Sequence, residues 1–253
     1  MNVNTYDHYG YALIALVGTA MAVATIVWLI RHSPWKSKLR ELRGVAPPFI
    51  NILGVLFGLT LAFIANDTWS AHDKATGAVY READALRSLL VLSGKLDEPL
   101  RPTIRATLGR YAQASSEEWD SQSQRRSSPQ ADQQANALLL AVIDRRIEDQ
   151  LGHTVHALML SKVSDIRHDR DLRIALSQMH VNPLKWLGMA FLGLLTLLSI
   201  AMVHIENPRA AYLSIALFAL SAAPTAAIVL VQGNPFLQPS FVSPAPIIAA
   251  LGP

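Results

Sequence analysis

The sequence contains no cysteine, which removes disulfides, thiolate metal sites and a cysteine nucleophile from consideration. It also lacks charge where charge is costliest. The apolar runs Tyr11–Ile30 and Ala210–Val231 hold no Asp, Glu, Lys or Arg, and Pro183–Val203 holds only Lys185 at its entrance. Proton-coupled carriers and pumps need an ionisable group inside such a run, and no run has Asp, Glu, His or Arg at its centre. There is no Walker loop and no dinucleotide fingerprint. Ser, His and Asp do not fall into a nucleophile elbow or another catalytic spacing. The reading is therefore not an enzyme, with no catalytic residue and no cofactor. A basic n-region is missing too: MNVNTYDHYG has one Asp and no Lys or Arg. The first run thus reads as a retained helix and not a cleaved signal, although Ala20-Met21-Ala22 has the look of a cleavage site.

What is present is concentrated. The 51% hydrophobic content gathers in four runs, Tyr11–Ile30, Phe49–Ala65, Pro183–Val203 and Ala210–Val231. A helix of about 20 apolar residues matches the ~30 Å hydrocarbon core of a bilayer, so the runs predict four membrane helices. The second run is short, but no Gly or Pro separates Ala65 from Trp69, and its helix is expected to continue past Asn66. Between the second and third runs, residues 66–182 carry 15 of the 22 Lys+Arg and 16 of the 19 Asp+Glu. The net charge of +3 comes mainly from residues 31–47, where Arg31, Lys36, Lys38, Arg40 and Arg43 outweigh Glu41. The basic balance reports membrane topology and not nucleic-acid binding. With Arg209 in the third loop, the positive-inside bias puts both short loops in the cytoplasm of a bacterial inner membrane. The termini and the middle segment then face outward.

The expected division is residues 1–65 for the first two membrane helices, 66–182 for a helical extramembrane domain, 183–231 for the second pair, and 232–253 for a tail. The fold class is all-α. In the middle segment Trp69, Thr76, Val79, Ala83, Leu86 and Leu90 recur at helical spacing up to Ser93-Gly94. A second helix follows Pro102 with Ile104, Leu108, Tyr111 and Ala112, and a polar loop occupies 121–130. A third helix, 131–150, is expected to bury Leu138, Leu139, Val142 and Ile143. A fourth runs from His153 through Ala157, Leu160, Val163 and Ile166 towards Leu176. The tail has five prolines and no charge. It cannot be one helix and is too apolar to float free, so it docks on its own helices or on a neighbouring subunit.

In the second membrane helix Asn51, Gly54, Gly58, Ala62 and Ala65/Asn66 share a face, and Asn66-Asp67 closes its outer end. One reading is a pore lining, in which small residues leave room and amides replace lost hydration. The other is close helix packing through Gly54-x-x-x-Gly58. Phe57 and Phe63 are candidates for a hydrophobic constriction. His153 and His156, with Asp149 nearby, have the spacing of a metal pair, but a surface pair is the commoner meaning, and no metal is assigned. Glu82, Asp84, Glu117 and Glu118 are expected in structural ion pairs, with Arg81, Arg87, Arg101, Arg105 and Arg110 available.

Gly54-Val55-Leu56-Phe57-Gly58, Glu82-Ala83-Asp84-Ala85-Leu86, Tyr111 followed by Glu118-Trp119, Arg170 and Arg173 before Pro183 and Trp186, and Asn234-Pro235-Phe236 stand in one order. From about Ile50 to Pro246 the chain resembles the bestrophin-like membrane proteins of bacteria and plants. The resemblance marks Glu82, Trp119, Arg170, Arg173, Asn234, Pro235 and Phe236 as motif positions. It implies a relation to bestrophins, which are pentameric anion channels with a cytosolic helical part, opposite to the charge count. In bestrophins Asn-Pro-Phe precedes an acidic calcium clasp. Here Leu237-Gln238-Pro239-Ser240 follows, without an acid, so no such clasp is expected. The resulting expectation is a homo-oligomeric passive ion channel in a lipid bilayer, with inorganic ions as its partners. An Asp67 ring would favour cations and the resemblance anions. The alternative is a membrane-anchored sensor or interaction scaffold whose helical bundle binds a partner.

Overall fold

The computed structural model describes residues 7–32, 46–178, 182–238 and 241–252. Among them all regular structure is helical, as the periodicity predicts. In chain order the helices are α1 (Asp7–His32), α2 (Ala46–Ser93), α3 (Leu100–Ser123), α4 (Pro129–Val142), α5 (Arg145–Leu151), α6 (His153–Gln178), α7 (Pro183–Val203), α8 (Pro208–Val231) and α9 (Ala245–Ala249). Three of them begin the same way, with a capping side chain and a proline whose missing N–H costs nothing in the first turn. Ser128 Oγ accepts from Ala131 N before Pro129, Asn182 Oδ1 from Leu184 N before Pro183, and Asn207 Oδ1 from Ala210 N before Pro208.

α1, α2, α7 and α8 are long and apolar enough to cross a membrane. Only 11–39% of their apolar windows is buried within the protein, and Leu13, Ile14, Met21, Phe49, Leu187, Phe191 and Leu220 are all exposed. A surface of this kind is untenable in water and natural in hydrocarbon, where each helix satisfies its own backbone. Thr60, Ser221 and Thr225 turn their hydroxyls back onto carbonyls of their own helices. Pro224 sits inside α8, which continues through it.

The chain forms two compact units. The first comprises residues 1–69 and 180–233. One of its clusters joins Ile26, Ile30, Leu197, Ile200 and Ile215, and another joins Ile64, Ala65, Met189 and Val229. The second unit comprises residues 70–179 and 234–253, built on Leu86, Leu89, Ile104, Leu108, Leu138, Val163 and Ile166. The tail belongs to this second core: Phe236, Val242, Ile247 and Ala250 are buried in it.

Several local expectations are corrected. The helix expected over 131–150 is two, because Asp144 leaves helical geometry and caps α5 by accepting from Arg146 N. Ile143 at that break is 52% exposed. α5 ends at Gly152, whose φ of +80° is the left-handed conformation glycine adopts without strain. Trp69 is exposed and not on the buried face; its indole Nε1 donates to Gln232 Oε1 at 3.0 Å. On α6 the buried face is His156, Met159, Val163, Ile166, Arg170 and Arg173, while Ala157 is exposed. The expected Val163, Ile166 and Leu176 are buried on it too.

Candidate functional site

At ~100° per helical residue, Asn51, Val55, Gly58, Ala62 and Asn66 stack along one side of α2, and all five are exposed on the protomer. Gly54 borders them, half-buried, whereas Ala65, expected on this face, is buried in the cluster with Met189 and Val229. A Cβ added at Gly54 or Gly58 would meet nothing within 4 Å, so packing within the chain does not account for these glycines. Close packing is instead made by Gly193 of α7, where a Cβ would lie 3.2 Å from the Phe57 ring. Phe57 also packs against Phe218, with the rings tilted by 55° and 5.2 Å between centroids. It is therefore engaged inside the first unit. Phe63 lies six residues on, ~120° further round the helix, and is 68% exposed beside Ile52, Leu56 and Leu59 on a broad apolar strip suited to lipid. The two aromatics do not share one face. Asp67 is turned far from the Asn51–Asn66 side, and its Oδ2 accepts from Lys185 Nζ at 2.6 Å.

Further along α2 the same side remains uncovered. Trp69, Asp73, Tyr80, Asp84, Arg87 and Val91 are all exposed.

The second unit holds a buried charge cluster that unites the motif positions. Arg173 and Glu82 are both fully buried. Arg173 Nε donates to Glu82 Oε2 at 2.7 Å and Nη2 to Oε1 at 3.2 Å. Its remaining N–H groups reach Ser115 Oγ (2.8 Å) and Gln122 Oε1 (3.1 Å). Glu82 Oε1 also accepts from Tyr111 Oη and Ser115 Oγ. Above the guanidinium lies the Trp119 ring, 4.4 Å from Cζ to centroid, within cation–π range. One turn earlier, Arg170 grips Glu118 with Nε at 2.9 Å and Nη2 at 2.7 Å, and its Nη1 donates to Asp132. Glu118 Oε1 further accepts from Ser128 N, the backbone of the α4 cap.

The tail closes over this cluster. Trp119 Nε1 donates to Val242 O at 2.6 Å, and Phe236 meets the Trp119 ring edge-on at 5.7 Å. Asn234 Nδ2 donates to Ser123 O, its Oδ1 accepts from Phe236 N, and Pro235 O accepts from Val242 N. Glu82, Trp119, Arg170, Arg173, Asn234 and Phe236 are thus one construction drawn from α2, α3, α6 and the tail. Ser115, Gln122 and Asp132 belong to it without any motif to mark them. Their only signal is spacing: Tyr111, Ser115, Glu118, Trp119 and Gln122 lie on one side of α3. Glu82 and Glu118 take α6 arginines as partners and not those expected from α2 and α3; Arg81 pairs with Asp169.

Burial raises the Tyr111 hydroxyl well above its ordinary range, and the Glu82 carboxylate adds to this against the opposing Arg173. Burial works against the Arg170 charge, but the bonds to Glu118 and Asp132 outweigh it and raise its pKa. The histidine pair is used otherwise. His153 Nδ1 meets Glu148 Oε1, not Asp149, and His156 Nε2 donates to Val142 O. Among the described residues no group of three or more His, Cys, Asp or Glu could hold a metal ion.

A paired charge cluster of this depth is destabilised far more by losing one member than by losing both. Arg173→Ala should cost about 3–5 kcal/mol and lower Tm in detergent by on the order of 10 °C. In a double-mutant cycle, Arg173→Ala with Glu82→Ala should cost clearly less than the sum of the two. Additive losses would mean that the pair is not coupled.

Eight-tenths or more of the chain has counterparts among known proteins. No match is found among curated proteins. A bacterial bestrophin homologue from Klebsiella pneumoniae, carrying a tryptophan-to-alanine mutation, superposes with a TM-score of 0.69 at 12% identity, over 97% of this chain and 95% of that one. A variant with an aspartate-to-alanine mutation gives 0.69 at 13%, over 95% and 99%. The form solved by zinc phasing gives 0.63 at 15%, over 94% and 96%. At these identities the likeness is one of fold. The Bestrophin-like domain model matches residues 17–247, and the chain belongs to the Bestrophin-like family.

Proposed function

We propose that the protein is a homo-oligomeric passive ion channel of the bacterial inner membrane, with the Asn51–Asn66 side of α2 turned towards a shared axis. The observation that carries this reading is that side itself: small and amide residues, uncovered by the protomer, next to a separate strip of large apolar residues. A face made only for lipid has no need of Asn51, Gly58 and Asn66. Amides and small residues suit a hydrated path, and the runs lack the central ionisable group of a proton-coupled carrier.

Anions are the favoured cargo. The family relation to bestrophins points that way, and Asp67, the acidic group that would oppose it, lies 2.6 Å from Lys185 Nζ. Unitary currents should appear from purified protein in planar bilayers, with a reversal potential following the chloride gradient. Gly58→Trp should abolish them while the oligomer persists. Silence from a folded oligomer would favour the second reading, a membrane-anchored interaction module that uses the exposed Tyr80 and Val91.

The basic loops around residues 31–47 and 204–209 support a cytoplasmic position for both, with the second unit outside. The cysteine-free chain allows a direct check. In whole cells an impermeant maleimide should label Ser127→Cys and spare Ser37→Cys; the reverse pattern would give the protein the orientation of bestrophins.

A further inference from the structure

At one end of the first unit α1 and α7 part to leave a cavity of about 250 Å³. Its walls are Ile26, Leu29 and Ile30 of α1 with Leu198, Ala201 and Met202 of α7, and its lining ends at Ile205, in the turn before α8. The walls are almost wholly hydrocarbon. The volume is below the roughly 300–1,000 Å³ of a site for a drug-sized ligand, which suits one slender chain.

The residues that adjoin these walls in the chain have the opposite character. The residue after Ile30 is Arg31, exposed and fixed in direction by Tyr212: its Nε donates to Tyr212 Oη at 2.8 Å and its Cζ lies 5.1 Å from the ring centroid. His32 follows, stacked on Trp28. Across the turn stand His204, whose Nδ1 donates to Ile200 O, and the exposed Arg209 in the first turn of α8. Glu206 in the same turn is itself engaged. Trp28, 59% exposed, has the amphipathic ring that marks a membrane–water boundary.

An apolar slot between membrane helices whose lining residues Ile30 and Ile205 adjoin basic residues in the chain suits a phospholipid with a negative headgroup. We propose that this cavity binds one acyl chain of an anionic phospholipid, with its phosphate held at Arg31 and Arg209. The apolar walls select a chain, and the basic rim selects anionic over zwitterionic headgroups. The site does not depend on ion conduction.

The test uses the full-length oligomer in mild detergent, titrated with phosphatidylglycerol or with phosphatidylcholine of the same chains. Bound lipid is counted by native mass spectrometry, and thermal shift is followed in parallel. Phosphatidylglycerol should bind in preference and raise Tm. Arg31→Gln, a surface change, should weaken that binding roughly fivefold, the effect of about one basic residue at a membrane surface. Ala201→Phe should fill the slot and remove the bound lipid with the oligomer intact. Equal binding of the two lipids, or binding unchanged in both variants, would overturn the proposal. Loss of assembly in Ala201→Phe with lipid binding unchanged would overturn it too, and would put a neighbouring subunit in the cavity.

Discussion

Two buried arginines one turn apart organise the second unit. Arg173 and Arg170 leave α6 on the same side and meet Glu82 of α2 and Glu118 of α3. A buried charge without its partner is among the costliest errors a fold can contain. The four side chains therefore force three helices into one register, and Asp132 and Ser128 N bring α4 to the same point. The apolar core would tolerate small slips of these helices; the bidentate geometry does not. The tail is fastened to the same assembly through Trp119, which touches Arg173 with its face, Phe236 through an edge-on contact and Val242 with its N–H. That is why a proline-rich, uncharged segment has a defined place.

The first unit follows the opposite rule. Its helices cover each other sparingly and show large apolar side chains outward, which only hydrocarbon makes favourable. Polar groups there are few, and their positions carry information. Asp67 is neutralised by Lys185 across to α7, and Arg31 lies on Tyr212 of α8. Among the described residues Asn51 and Asn66 have no such partner, and they share their side of α2 with Gly58 and Ala62.

Much of this was legible in the residues. Run lengths defined the membrane helices, and the third run opened at Pro183, where α7 begins. The small-residue side of α2 followed from spacing alone. Other features were hidden for physical reasons. Hydrophobic periodicity treats Arg170, Arg173, Glu82 and Glu118 as surface, although pairing makes them the most buried charges of the unit. Of the residues it placed on α6, Val163, Ile166 and Leu176 are buried and Ala157 is not. Asp144 ended a helix through capping, which a count of apolar residues does not register. The direction of Asp67 depended on one residue of helical phase: Asn66 borders the small-residue side, whereas the next residue looks towards α7. Phe57 was drawn inward because Gly193, distant in sequence, leaves room for its ring.

The central claim is that the small-residue side of α2 faces other copies of the chain. It is tested most directly by oxidative cross-linking of single cysteines introduced into the cysteine-free protein in membranes. Ala62→Cys should yield disulfide-linked dimers, and Phe63→Cys, on the lipid-type strip, should remain monomeric on a denaturing gel. Cross-links from Phe63→Cys with none from Ala62→Cys would place the subunit contact on the other strip and contradict the account.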